Sequence, residues 1–109
     1  MIIIQKQTWH SHTRYIIFDT EGGCVQINLY TEKQDFGSTA CIYALWVDEN
    51  SRRKGIATRL LDRAEEIAKR EGHKSITIDW YLDDTPKAIL EWYKKRGYIE
   101  TNAEAVKQL

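Results

Sequence analysis

Hydrophobic and polar positions change period near the middle of the chain. In the first half, Thr13-Arg14-Tyr15-Ile16-Ile17-Phe18-Asp19 runs into Glu21-Gly22-Gly23, and from Cys24 to Tyr30 the apolar residues Val25, Ile27 and Leu29 alternate with other residues. Alternation bounded by a glycine pair predicts two antiparallel strands and a tight turn. A polar loop from Thr31 to Gly37 leads to a third strand, Thr39 to Val47, and Ile2 to Thr8 is a candidate first strand. In the second half Ile56, Leu60, Leu61, Ala64, Ile67 and Ala68 recur at helical spacing, opposite Asp62, Arg63, Glu66, Lys69 and Arg70. Gly72 is placed to end that helix. Ser75 to Tyr81 alternates again and predicts a strand. Thr85-Pro86 then supplies an N-cap and first-turn pair for a helix through Arg96, stopped by Gly97. Tyr98 to Glu100 and Ala105 to Leu109 are left for a short terminal hairpin. A strand–helix–strand unit requires a right-handed crossover between parallel strands, here within an otherwise antiparallel sheet.

The junction of the two halves carries the chemistry. Ser51-Arg52-Arg53-Lys54-Gly55-Ile56-Ala57-Thr58 lies where a strand ends and the first long helix begins. Residues 51 to 59 hold four basic side chains and no acidic one. The positive end of a helix dipole favours Asp and Glu, so cations there call for an explanation. Unpaired first-turn amides attract anions, and a glycine without a Cβ lets phosphates approach the main chain. The segment therefore reads as a phosphate-binding turn, against the plainer reading of solvated charges at a helix start.

Length and composition narrow the classes. A chain of 109 residues holds one domain, taken here as 1–109. Its 16 basic and 16 acidic residues balance, which argues against a general nucleic-acid binder. No apolar run approaches the roughly 20 residues that span a bilayer, and no signal peptide is recognisable, so a cytoplasmic protein that engages no membrane is expected. Cys24 and Cys41 are expected as thiols rather than a disulfide. His10 and His12 lack partners spaced for zinc, so no metal is expected.

In this setting the chain resembles the GNAT (Gcn5-related N-acetyltransferase) superfamily from about Thr39 to Tyr98. The family's acyl-CoA motif, R/Q-x-x-G-x-G/A, is filled by Arg52, Gly55 and Ala57. It follows Leu45-Trp46-Val47, which matches the family's apolar-x-Val strand end. Trp92-Tyr93-Lys94-Lys95-Arg96-Gly97-Tyr98 is similar to the family's Tyr-x-x-x-Gly-aromatic ending of the later helix. The resemblance implies an α+β, GNAT-like three-layer fold: a mixed, mostly antiparallel sheet with a parallel strand pair around the cofactor cleft, and two main helices.

It also implies an N-acyltransferase moving an acetyl group from acetyl-CoA to an amine by direct transfer. Backbone groups of Leu45, Trp46 and Val47 would pair with the pantetheine arm. The amides of Arg53, Lys54, Gly55, Ile56, Ala57 and Thr58 would hold the pyrophosphate, and the Arg52, Arg53 and Lys54 side chains would face further phosphates. Tyr93 would protonate the departing thiolate, a phenol and a thiolate being of similar basicity. Its plainer reading is a core tyrosine beside Trp92.

Three departures from the family pattern carry expectations of their own. Family members usually place one or two helices between the first strands as a wall of the acceptor site, and none is recognisable here. That side should be open or completed by a second copy, and a homodimer is compatible with so many aromatics. The Asn that often opens the later helix is missing from Asp83-Asp84-Thr85-Pro86. The strand Cys41-Ile42-Tyr43-Ala44 lacks the Glu that often serves as base, leaving Asp79 and Glu32 as substitutes. The acceptor is an amine on a small molecule or a peptide or protein. Two alternatives compete: a CoA-binding or partner-binding module on the same fold without catalysis, and an RNA or polyphosphate binder using Arg52 to Lys54.

Overall fold

A computed structural model describes residues 1–32, 38–51, 53–79, 87–101 and 104–109. Its strands are β1 (Ile2–Thr8), β2 (His12–Asp19), β3 (Gly23–Tyr30), β4 (Ala40–Val47), β5 (Ser75–Asp79), β6 (Ile99–Thr101) and β7 (Glu104–Gln108). The helices are α1 (Ile56–Arg70) and α2 (Lys87–Lys95), with a short 3-10 turn at Glu49–Ser51. The strands form one sheet in the order β1-β2-β3-β4-β5-β7-β6. All neighbours are antiparallel except β4 and β5. This is the mixed sheet with one parallel pair and two helices expected from the sequence. The Thr85-Pro86 start foreseen for the second helix lies outside the described residues, as does the Trp80-Tyr81 end of the fifth strand. No described helix is long and apolar enough to cross a membrane.

Alternation decides which residues enter the core. Tyr15 and Ile17 of β2, Val25, Ile27 and Leu29 of β3, Ala40 and Ile42 of β4 and Ile76 and Ile78 of β5 all face α1. The helix meets them with Ile56, Leu60, Leu61, Ala64, Ile67 and Ala68, the stripe its period marks out. Gly23 is where the two layers come closest. A Cβ there would lie 2.7 Å from Ile56 Cγ2 and 3.0 Å from Leu60 Cδ1, so only glycine lets the start of α1 settle on β3.

Both helices end on the same backbone device. Gly72 and Gly97 adopt positive φ of 92° and 99°. Their N–H groups donate to Lys69 O and Lys94 O, while the following residues, His73 and Tyr98, donate to Ala68 O and Tyr93 O. Each pair of bonds is a Schellman cap, which satisfies carbonyls that the helix leaves over. The end of α2 is then tied to α1 by ion pairs. Arg96 Nη2 lies 2.6 Å from Asp62 Oδ1 and 3.3 Å from Glu65 Oε2, and Glu65 also accepts from the Tyr98 hydroxyl and Lys107 Nζ.

The opposite face of the sheet is built differently. Ile3, Phe18, Cys24 and Trp46 form one cross-strand row there, each paired in register with the next. β1 returns to β2 through residues 9–11 alone, so the wall that the family builds from helices at this point has no counterpart between these strands.

Candidate functional site

Two local irregularities open a cleft beside β4. The first is a bulge. Gln26 pairs with Ala44 while Ile27 pairs with Ile42, leaving Tyr43 as an extra residue on β4. Tyr43 and Ala44 therefore both turn away from α1, and Leu45 and Val47 turn back towards it. The second irregularity is that, among the described residues, parallel pairing with β5 is confined to Cys41↔Thr77 and Ile42↔Ile78. From Tyr43 to Val47, no described residue pairs with the edge of β4 that faces β5. Such an edge can accept an extended, amide-bearing ligand as an added strand.

The start of α1 closes one end of this cleft. Gly55 is its N-cap, in left-handed conformation with φ 77° and ψ 11°, and no side chain caps the helix. The first helical hydrogen bond runs from Arg59 N to Gly55 O, so the N–H groups of Ile56, Ala57 and Thr58 lie ahead of the intrahelical ladder. The first turn holds no acidic residue. Arg53 also has positive φ, 68°, an uncommon state for a residue with a side chain, and such strain tends to persist where a site needs it.

The loop is held from below. Ser51 Oγ donates to Glu21 O at 2.6 Å, and Asp48 N donates to Gly22 O at 2.8 Å, stitching the loop onto the β2–β3 turn. Arg59 finishes the brace. Its guanidinium spans Asp19 Oδ2 at 3.1 Å and Glu21 Oε2 at 2.8 Å, and its Nη1 donates to Lys54 O. Of the four cations counted in the sequence, Arg59 is thus committed to shaping the turn and is not left for an anion. The Asp19 carboxyl is held below its ordinary range by the Glu21 backbone N–H and then by Arg59, so this brace stays charged.

The cleft measures about 690 Å³ and is lined by Leu45, Trp46, Val47, Arg53, Gly55, Ile56, Ala57, Thr58 and Tyr93, all singled out in the sequence. Ser51, Ile89 and Trp92 line it as well. Lys54 does not line it; its side chain is exposed and its carbonyl is taken by Arg59. Arg52 lies outside the described residues, as does the side chain of Asp79. Glu32 follows β3 at the end of the sheet where β4 begins, a strand length away from Leu45 to Val47. Among the described residues no carboxylate lines the cleft, and no group of His, Cys, Asp and Glu could hold a metal.

Across the cleft from β4 stands Tyr93. Its ring meets Tyr98 edge-on at 5.8 Å and Trp92 at 5.2 Å. Burial raises its pKa, because the phenolate would lose hydration, so the hydroxyl keeps its proton across the neutral range. The sequence pattern pointed to Tyr93, while the bulge at Tyr43 and the Arg59 brace leave no local signal. They depend on how strands far apart in the chain come into register.

Known proteins share the fold. An acetyltransferase of the GNAT family from Elizabethkingia anophelis, solved with acetyl-CoA bound, superimposes with a TM-score of 0.73 at 16% identity, covering 99% of this chain and 98% of that one. A crystal structure of an acetyltransferase from Bacillus cereus gives 0.67 at 28% identity, over 90% of this chain and 73% of that one. An uncharacterised N-acetyltransferase of Methanocaldococcus jannaschii is 32% identical over 59 residues, or 54% of this chain. The chain spans about a quarter (25%) of the length of that curated relative. The family model described as acetyltransferase (GNAT) family matches residues 4–98, and the chain therefore belongs to the GNAT acetyltransferase family.

Proposed function

We propose that the domain is an N-acyltransferase that takes an acetyl group from acetyl-CoA and delivers it to an amine. The observation that carries this reading is the joint geometry of the cleft. A strand edge with no described partner, an uncapped helix start and a protonated tyrosine surround one space. The strand edge suits the two amides of a pantetheine arm, and the amides of Ile56, Ala57 and Thr58 suit a pyrophosphate. Charge-assisted hydrogen bonds contribute about 1.5–3 kcal/mol each before ordering costs, so contacts at the turn and along β4 would both be needed for micromolar affinity.

In the reaction, the amine nitrogen attacks the thioester carbon and the carbon–sulfur bond breaks. Tyr93 donates its proton to the departing thiolate and regains one from solvent. The proton lost by the amine leaves through water, since no described carboxylate lines the cleft. Holding donor and acceptor together supplies much of the acceleration.

Acetyl-CoA at a hundred times its Kd is expected to stabilise the fold by about 2.7 kcal/mol, roughly a 10 °C rise in Tm for a domain of this size. No shift at millimolar acetyl-CoA would reject the donor site. Tyr93→Phe is expected to lower kcat about a hundredfold while the acetyl-CoA-induced shift persists. Equal loss of both would make Tyr93 a packing residue. If CoA binds and no free thiol appears across a broad amine panel, the domain is a CoA-binding module.

A further inference from the structure

On the face of the sheet turned away from α1, an arginine is held between two aromatic rings. The Arg14 guanidinium carbon lies 5.3 Å from the centre of the Trp9 ring and 5.4 Å from that of Tyr43. Its Nε donates to Asn28 Oδ1 at 2.9 Å, across the β2–β3 pair that joins the two residues in register. Trp9 is itself stacked on His12 at 4.9 Å, and His12 sits 5.0 Å from Tyr30. Among the described residues Arg14 has no carboxylate partner, and its two terminal nitrogens donate to none of them. A guanidinium fixed by stacking, with its planar fork unused, is organised to take an oxyanion in bidentate fashion.

Its place in the fold says whose oxyanion it would take. Tyr43, one of the two rings, is the bulged residue of β4, and it directly follows the last described pair between β4 and β5. The donor cleft opens on the α1 side of that point. On the other side of the sheet, among the described residues, Tyr43 and the Arg14 it holds stand at the same point. We propose that Arg14 is a specificity-determining residue for the acceptor, and that the acceptor is an amine carrying an oxyanion, a carboxylate or a phosphate, which the Arg14 fork binds. The proposal rests on the acyltransferase reading above and goes beyond it by naming the acceptor's chemical class.

The test pairs charged acceptors with neutral counterparts. β-Alanine, 4-aminobutyrate and 5-aminopentanoate would each be compared with the corresponding amide, and 2-aminoethyl phosphate with 2-methoxyethylamine, by release of free thiol from acetyl-CoA. The anionic member of at least one pair is expected to be favoured roughly tenfold to hundredfold in kcat/KM, the scale of one charge-assisted pair. That preference is expected to fall towards one in Arg14→Gln and to survive in part in Arg14→Lys. Preference in the carboxylate pairs or in the phosphate pair supports the proposal and identifies the source of the anion. Equal use of all pairs by the wild type overturns it, as does a preference that survives Arg14→Gln.

If no amine is turned over, the Arg14 Nε–H resonance of the CoA-bound protein is followed during titration with the same pairs. A saturable shift with an anion and not with its neutral counterpart supports the proposal, and no difference between them overturns it. The acetyl-CoA-induced rise in Tm is measured in parallel. Its absence in the wild type would be a failure of the donor site, distinct from either result at Arg14.

Discussion

Ile17 and Phe18 are neighbours on β2, yet they belong to different environments. Ile17 has no exposed surface and packs beneath α1, whereas Phe18 keeps 37% of its surface on the far side of the sheet. The same division runs across the first four strands. One face is filled by helix side chains that leave no room for a Cβ at Gly23. The other carries Phe18, Tyr43 and Trp46 in the open, with Arg14 clasped between rings. The covered face thus sets the stability and the shape of the turn that opens α1. On the proposed acyltransferase reading, this division separates two needs: the donor a fixed frame, and the acceptor an accessible surface.

The sharpest way to break that division is to truncate the two neighbours separately. Ile17→Ala is expected to cost about 2–5 kcal/mol in urea unfolding, through lost burial and the cavity left behind. Phe18→Ala is expected to cost clearly less, about 0.5 kcal/mol. Comparable losses would mean that something covers the open face in solution. A second test probes the frame of the turn. Gly23→Ala drives a methyl group into Ile56 and Leu60 and is expected to cost about 1–3 kcal/mol, with weaker acetyl-CoA binding than the stability loss alone would produce. Unchanged affinity in the folded fraction would show that the start of α1 can move without harm to the turn.

The smallest effect is one of pH. His73, just past the end of α1, is held below its ordinary pKa by burial, and its Nδ1 lies 2.6 Å from Thr39 Oγ1. A folded-state value below the unfolded 6.5 means the unfolded chain takes up a proton that the folded one refuses. The stability contributed by neutral His73 is therefore complete above pH 6.5 and is lost as pH falls through the lower, folded value. His73→Asn is expected to flatten that part of the stability profile. The Asp19 brace acts at more acidic pH, its contribution being lost as pH falls from 3.8 through the depressed folded-state value.

What the sequence discloses is what short stretches decide for themselves. The β2–β3 turn, the apolar stripe of α1, the two capping glycines and the basic turn all lie within windows of a few residues, and each is found where its local pattern puts it. The residues lining the cleft beside β4 are legible because Leu45 to Val47 and Gly55 to Thr58 flank one short loop. The features that escaped are those assembled from distant strands. Arg59 reaches back 40 positions to Asp19, and Arg14 meets Tyr43 only because three strands come into register. A count of cations could not separate Arg59 from its neighbours, since the carboxylates that claim it lie in another hairpin. Nor does any local pattern mark the extra residue at Tyr43, because a bulge exists only relative to a partner strand.

That extra residue acts on β4 as an inserted letter acts on a reading frame. Ahead of it Ile42 faces the core, and beyond it Leu45 and Val47 do so too, which strict alternation would forbid. If Tyr43 were paired in strict alternation instead of bulged out, Ala44 and Trp46 would turn inward and Leu45 and Val47 would go to the outer surface. The strand would keep its length and composition, yet present the wrong side of its sequence to the cleft. One residue of phase therefore decides which side of this strand can meet a donor.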